Sequence, residues 1–134
     1  MNKNKIEYSV IVSVIPVFAD QSKPPTSPDY YKILLDDNMQ VIKQELGVLH
    51  ANISDCVNDV FSKFLKIDPE WPFRKLANTR KIKKTVELTF TTTMPYIENC
   101  NKQGRIVNVN EAMSMNMDEY YVHTITSTSP GLYG

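Results

Sequence analysis

Apolar and polar residues alternate with period two from Ile6 to Phe18. Ile6, Tyr8, Val10, Val12 and Val14 share one face, and Glu7, Ser9, Ile11, Ser13 and Ile15 share the other. β-Branched residues in that rhythm predict a strand with one wholly apolar face and one mixed face. Pro16 lacks a backbone donor, so the strand is expected to end there, to bulge, or to lie on a sheet edge. Pro24, Pro25 and Pro28 give the next segment, Gln21 to Asp29, the chemistry of a surface connection. Two short apolar-rich runs, Tyr30 to Leu35 and Met39 to Ile42, flank Asp36, Asp37 and Asn38. Such residues tolerate the left-handed backbone of a tight turn, and the pattern predicts a β-hairpin.

The period then changes. Ile53, Val57, Val60, Phe61 and Phe64 recur at spacings of three and four, which predicts the principal helix with a single apolar stripe. Asn52 can cap its start, Asp55 suits the first turn, and Lys63 and Lys66 suit the last. Asp68-Pro69 should end it, because the residue before proline is pushed out of helical geometry. Period two returns from Thr85 to Thr93, where Val86, Leu88 and Phe90 alternate with Glu87, Thr89 and Thr91 as in a half-buried strand; Met94-Pro95 stops it. Asn99 to Gly104 is turn-rich. Arg105 to Val109 and Tyr120 to Thr126 read as further strands, the second with Tyr121, His123 and Ile125 on one face. Ser127 to Gly134 carries no periodic signal. The expected architecture is α+β: a largely antiparallel or mixed sheet of about five to six strands covered by one main helix, in a single domain spanning residues 1–134.

Composition narrows the function classes. Fifteen acidic residues balance fifteen basic ones, so no global field favours nucleic acid, and 42% hydrophobic with 22% charged residues is the content of a globular chain. The longest apolar run, Val10 to Phe18, is interrupted and falls short of the roughly 20 residues of a membrane-spanning helix, so no membrane partner is expected. Met1 to Lys5 is basic, yet no leader-like apolar stretch with a small-residue cleavage site follows, and the expected compartment is the cytoplasm. Cys56 and Cys100, the only cysteines, read as reduced thiols.

One local asymmetry stands out. Arg74, Lys75, Arg80, Lys81, Lys83 and Lys84 place six of the fifteen basic side chains within eleven residues. Trp71 and Phe73 precede them, so aromatic faces adjoin cations as on single-stranded nucleic-acid surfaces; the same aromatics equally suit closure of the core at the helix end. These eight residues are the candidate binding site. Met113, Met115 and Met117 alternate, and methionine serves both irregular cores and adaptable contact surfaces.

Catalytic signatures are largely missing. The four glycines, Gly47, Gly104, Gly131 and Gly134, cannot form a phosphate-cradling loop. His50, His123, Cys56 and Cys100 lack the short paired spacings of a zinc site. His50 as a lone loop histidine specifies little, and His123 on its strand face reads as a partly buried, satisfied imidazole. The acidic pairs Asp36, Asp37 and Asp118, Glu119 suit turns better than a divalent metal. No cofactor and no catalytic residue is expected.

The element order, with a central helix after early strands, resembles that of Nudix hydrolases. If Asp59 to Ile67 is aligned with the end of that family's signature, Lys63 and Phe64 stand where its paired metal-binding glutamates would be, and those side chains cannot hold magnesium. The resemblance therefore implies a fold and leaves the activity behind. A non-catalytic domain that docks to other macromolecules, or self-associates, is the expected function. The abundance of Lys and Asn suits an AT-rich genome such as that of many phages, and a subunit of a viral assembly would need no catalytic chemistry. The rival expectations are a nucleic-acid binder using residues 71–84 and a divergent hydrolase.

Overall fold

β-Branched residues of the first alternating segment form a long central strand, β1 (Ser9–Ala19), and every later strand is placed relative to it. In chain order follow β2 (Tyr31–Leu35), β3 (Ile42–Glu45), α1 (Ile53–Phe64), β4 (Arg74–Ile82), β5 (Thr85–Pro95), β6 (Arg105–Asn108), α2 (Val109–Ser114) and α3 (Glu119–Thr128). The computed structural model describes residues 9–47, 52–66 and 74–128. The sheet has six strands in the order β4-β5-β1-β2-β6, with β3 also paired to β1. Pairing is antiparallel except for β1 with β5, which run parallel from Ser9 opposite Thr85 to Ala19 opposite Pro95. The fold is α+β, as the pattern of elements predicts. Among the described residues no helix is long and apolar enough to cross a membrane.

Pro16 neither ends β1 nor puts it at an edge: it is buried in a strand with neighbours on both sides. Hydrogen-bond direction explains how. Ser9 N donates to Lys84 O beside β5, and Leu46 N donates to Val10 O just beyond β3, both at 2.9 Å. Odd-numbered β1 residues thus turn their backbone groups to β5, and even-numbered ones, Pro16 included, turn theirs to β2 and β3. Pro16 falls between Val14, which pairs with Ile42 of β3, and Val17, which pairs with Ile33 of β2. The missing donor faces the break between those strands.

That break also revises the expected hairpin. β2 and β3 do not pair with each other but run end to end along the same side of β1. Residues 36–41 loop out between them, closed by Asp36 N to Gln40 O at 2.8 Å and Met39 N to Asp36 O at 3.0 Å, with Met39 at φ 60. The aspartate and asparagine make the turn that was expected, and β1 takes up the pairing. On the far side of β2, β6 begins after Gly104, whose φ is 79 and where a Cβ would lie 2.3 Å from Leu35 O. No other residue fits that approach.

Helices cover both faces, where the apolar pattern pointed to one helix on one face. α1 packs on Val12, Val14, Phe18, Leu34 and Ile42 through Cys56, Val57, Val60 and Phe61. Its start follows the sequence: Asn52 caps it, accepting from Asp55 N at 2.9 Å. Its end comes earlier than Asp68-Pro69, a pair outside the described residues; Leu65 N still bonds Phe61 O, and Lys66 lies beyond the helix. On the opposite face α2 and α3 pack on Ile15, Val17, Ile33 and Leu35 through Val109, Ala112, Tyr121 and Ile125.

The segment Tyr120 to Thr126, read as a strand, is helical. Tyr121, Thr124 and Ile125 are buried at helical spacing, Asp118 Oδ1 accepts from Tyr120 N at 2.9 Å to start α3, and β-branched propensity yields to this packing. His123 is exposed rather than sharing a buried face with Tyr121 and Ile125, because residues two apart diverge on a helix. Val109, expected to end β6, instead starts α2.

Two stability effects are expected from urea midpoints. Phe61→Ala removes a wholly buried ring from the α1 core and should cost about 3–5 kcal/mol, whereas Lys63→Ala, whose exposed ammonium pairs with Asp59 at 3.1 Å, should stay within about 0.5 kcal/mol. Shifting the proline two residues, by Val14→Pro with Pro16→Val, points the missing donor at Ile42 instead of at the break and should cost about 3 kcal/mol or more.

Candidate functional site

The basic segment, read from the sequence only as a candidate binding site, is an edge strand. β4 pairs antiparallel with β5 through a two-residue turn at Lys83 and Lys84, where Lys83 takes φ 55. The alternation missed it because six of its nine side chains are polar and the apolar ones do not alternate, and an edge strand needs only one neighbour. The register separates the cations. Lys75 and Arg80 lie opposite Thr91 and Glu87 on the α3 side, Lys81 lies opposite Val86 on the α1 side, and Lys83 and Lys84 occupy the turn. Arg74 opens the strand opposite Thr92. Trp71 and Phe73 lie outside the described residues, as does His50.

Strand period and edge chemistry explain much of this composition. A bulge interrupts the register between Leu76 and Asn78, and Asn78 Oδ1 accepts from the Thr79 backbone N–H at 2.9 Å. Lysines, a bulge and a side chain that occupies a backbone donor are devices that keep an edge from pairing with other chains.

Arg80 belongs to a polar network under α3. Its Nε and Nη2 each lie 3.0 Å from Glu87 Oε1, and its Nη1 lies 2.9 Å from Asp118 Oδ2. The guanidinium also lies 4.2 Å from the Tyr120 ring centroid. Tyr121 donates to Glu87 Oε2 at 2.5 Å, and Thr89 Oγ1 shares hydrogen bonds of 2.7 Å with both Ser13 and the Tyr120 hydroxyl. Burial alone would raise the Glu87 carboxyl, but hydrogen bonds from Tyr121, Ser13 and Arg80, together with the Arg80 charge, hold it below its ordinary value. Burial, reinforced by that anionic acceptor, pushes the Tyr121 phenol well up. The more buried set on β5 is therefore Glu87, Thr89 and Thr91, and Val86, Leu88 and Phe90 are only half-buried. A polar face became the covered one because α3 brought partners for it.

Beside this network a cleft of about 780 Å³ opens between the 36–41 turn and the α2–α3 connection. Met39, Val41, Met115, Met117 and Tyr121 line it, with Lys43, Asp118 and Glu119 among its polar groups. Lys43 Nζ lies 5.3 Å from the Tyr121 ring centroid. Met115 and Met117 of the alternating trio thus meet Met39 from a distant segment, a meeting that no spacing could reveal. The acidic pairs act at turns: Asp36 Oδ1 accepts from Asn38 N and Gln40 N, Asp37 Oδ1 accepts from Gly104 N, and Asp118 starts α3. Cys56 and Cys100 are free and buried, and burial raises both thiols. Among the described residues no three His, Cys, Asp or Glu side chains converge on a metal position.

On the opposite face, α1 packs chiefly on β1 and β3, and of β5 only Phe90 and Met94 join its cluster. Leu76, opposite Phe90, is 48% exposed there, and Val86 and Leu88 are half-buried further along β5. No protein-family model and no curated protein matches this chain.

Arg80→Ala strands a buried carboxylate and should cost about 3–5 kcal/mol, against about 0.5 kcal/mol or less for Lys84→Ala at the exposed turn. Because the folded state depresses Glu87, its stabilisation is present above the ordinary value of 4.5 and is lost as pH falls through the lower folded value. Urea midpoints measured from pH 6 down to pH 3 should therefore fall less steeply below about pH 4.5 in Glu87→Gln than in the parent.

Proposed function

We propose that this chain is a non-catalytic docking domain that joins a protein partner, or a second copy of itself, through the β4–β5 wing, as a subunit of a larger assembly such as a phage or viral particle. The observation that carries this reading is the outer part of the α1 side of the wing, which α1 leaves open among the described residues. Leu76, Leu88 and Val86, none of them in the cluster that α1 forms, follow one another along this side past Phe90, and Lys81, Lys83 and Lys84 lie at the turn end. An apolar strip with a charged border is the anatomy of a protein contact, and an acidic border on the partner would complement the lysines.

The same geometry disfavours nucleic acid as the partner. Arg80 is committed to Glu87 and Asp118, and the bulge between Leu76 and Asn78 puts Lys75 and Lys81 on opposite faces, so few cations could meet one phosphate backbone together.

A photocrosslinking residue at Leu76 should capture a protein partner or a second copy in an extract of the source cells, and one at exposed Glu98 should not. Leu88→Asp should abolish the capture while leaving the thermal midpoint within a few degrees. No capture from position 76 would refute the docking surface. A gel-shift titration should show no appreciable binding of generic RNA or DNA at physiological salt. Micromolar, salt-sensitive binding lost in Lys81→Ala/Lys83→Ala/Lys84→Ala, with an unchanged thermal midpoint, would favour nucleic acid instead.

A further inference from the structure

We infer that the cleft between the 36–41 turn and the α2–α3 connection is a binding site for a soft monovalent metal ion, Cu(I), held by the thioethers of Met39, Met115 and Met117. The site is separate from the β4–β5 wing and does not depend on the docking reading.

Three observations converge on it. The first is the donor set. Three methionines from two segments more than seventy residues apart line one cleft. A thioether is a neutral, polarizable donor that selects Cu(I) over Mg²⁺, Ca²⁺ and Zn²⁺, which prefer oxygen, imidazole or thiolate. The second is how the side chains are held. Met39 sits at the positive-φ position of its turn, and Met117 N donates to Met115 O at 2.7 Å, which fixes the other two in a tight turn at the opposite wall. All three are only partly buried: Met39 and Met117 pack against the core on one side and, with Met115, border the cleft on the other, whereas Met94 is buried on the opposite face. The third is the surrounding charge. Glu119 and Asp118 stand on the lining, Asp118 already paired with Arg80, and the ammonium that shares the lining, Lys43, lies against the Tyr121 ring. A single positive ion is compatible with that field, and no thiolate is needed to neutralise it.

Thioether ligation makes a distinctive claim about pH. Methionine has no proton to lose, so the affinity should be the same at pH 5 and pH 7. Binding by Cys56 or Cys100 would weaken steeply on acidification, because their thiols must be deprotonated to ligate and burial already raises both.

The test uses the full chain with ¹³C-labelled methionine methyl groups, titrated with Ag(I), the redox-inert counterpart of Cu(I). Expected is a one-to-one saturation in which the methyl resonances of Met39, Met115 and Met117 move together, with Met94 unmoved and the dissociation constant equal at pH 5 and pH 7. Met115→Leu/Met117→Leu keeps side-chain volume and should leave the metal-free thermal midpoint nearly unchanged while weakening Ag(I) at least about tenfold. If that double variant fails to fold, Met39→Leu alone should weaken Ag(I) by several-fold. Movement of none of the three methyls, or binding that survives the methionine variants and disappears in Cys56→Ser/Cys100→Ser, would overturn the site.

Discussion

The parallel ladder between β1 and β5 is the constraint on which the rest of the molecule depends. A parallel pair cannot be closed by a tight turn, so the chain must leave the end of β1 and travel back before β5 can start. β2, β3, α1 and β4 make that journey. It places α1 over one face of β1, brings β4 in as a hairpin partner of β5, and leaves the opposite face for the helices that follow β6. Pro16 sits in the middle of the ladder and forbids a continuous neighbour on the other side. The gap between β2 and β3 answers that prohibition, and the 36–41 turn that fills it forms one wall of the cleft.

A second consequence follows on the α3 side. β5 presents Glu87 and Thr89 to that face, and β1 presents Ser13. Any layer placed over them must bring hydrogen-bond partners or leave a buried charge unsatisfied. α3 brings two adjacent tyrosine hydroxyls, and β4 brings the Arg80 guanidinium. The residue that looked like part of a free basic patch is thereby required inside the domain. A buried ion pair of this kind adds little to stability over an apolar replacement, but removing one member is costly. It therefore fixes the docking of α3 on the sheet more than it strengthens the core.

The chain thus has two surfaces of different chemistry on opposite faces. The β4–β5 wing carries an apolar strip ending in lysines, the surface proposed for docking. The cleft offers soft donors and mixed charge, suited to something small. The basic residues of β4 also keep the sheet edge from open-ended pairing, which reconciles a dense cationic segment with a chain of zero net charge.

Alternation in β1 and β5, the stripe of α1 and its Asn52 cap were all legible from residue order, because each depends on contacts within one element and on the fixed periods of helix and strand. The turn at Asp36 to Asn38 was legible for the same local reason. Tyr120 to Thr126 was not: its side chains suit a strand, and only the burial of Tyr121, Thr124 and Ile125 against the sheet made it a helix. Nor could any spacing announce β4, whose polar side chains carry no alternation, or decide which face of β5 would be covered. The grouping of Met39 with Met115 and Met117, and of Arg80 with Glu87 and Asp118, arises from pairings between segments distant in the chain. Residue order specified the elements and their local ends; tertiary packing decided their partners, because burial and hydrogen-bond satisfaction are properties of the assembled layers.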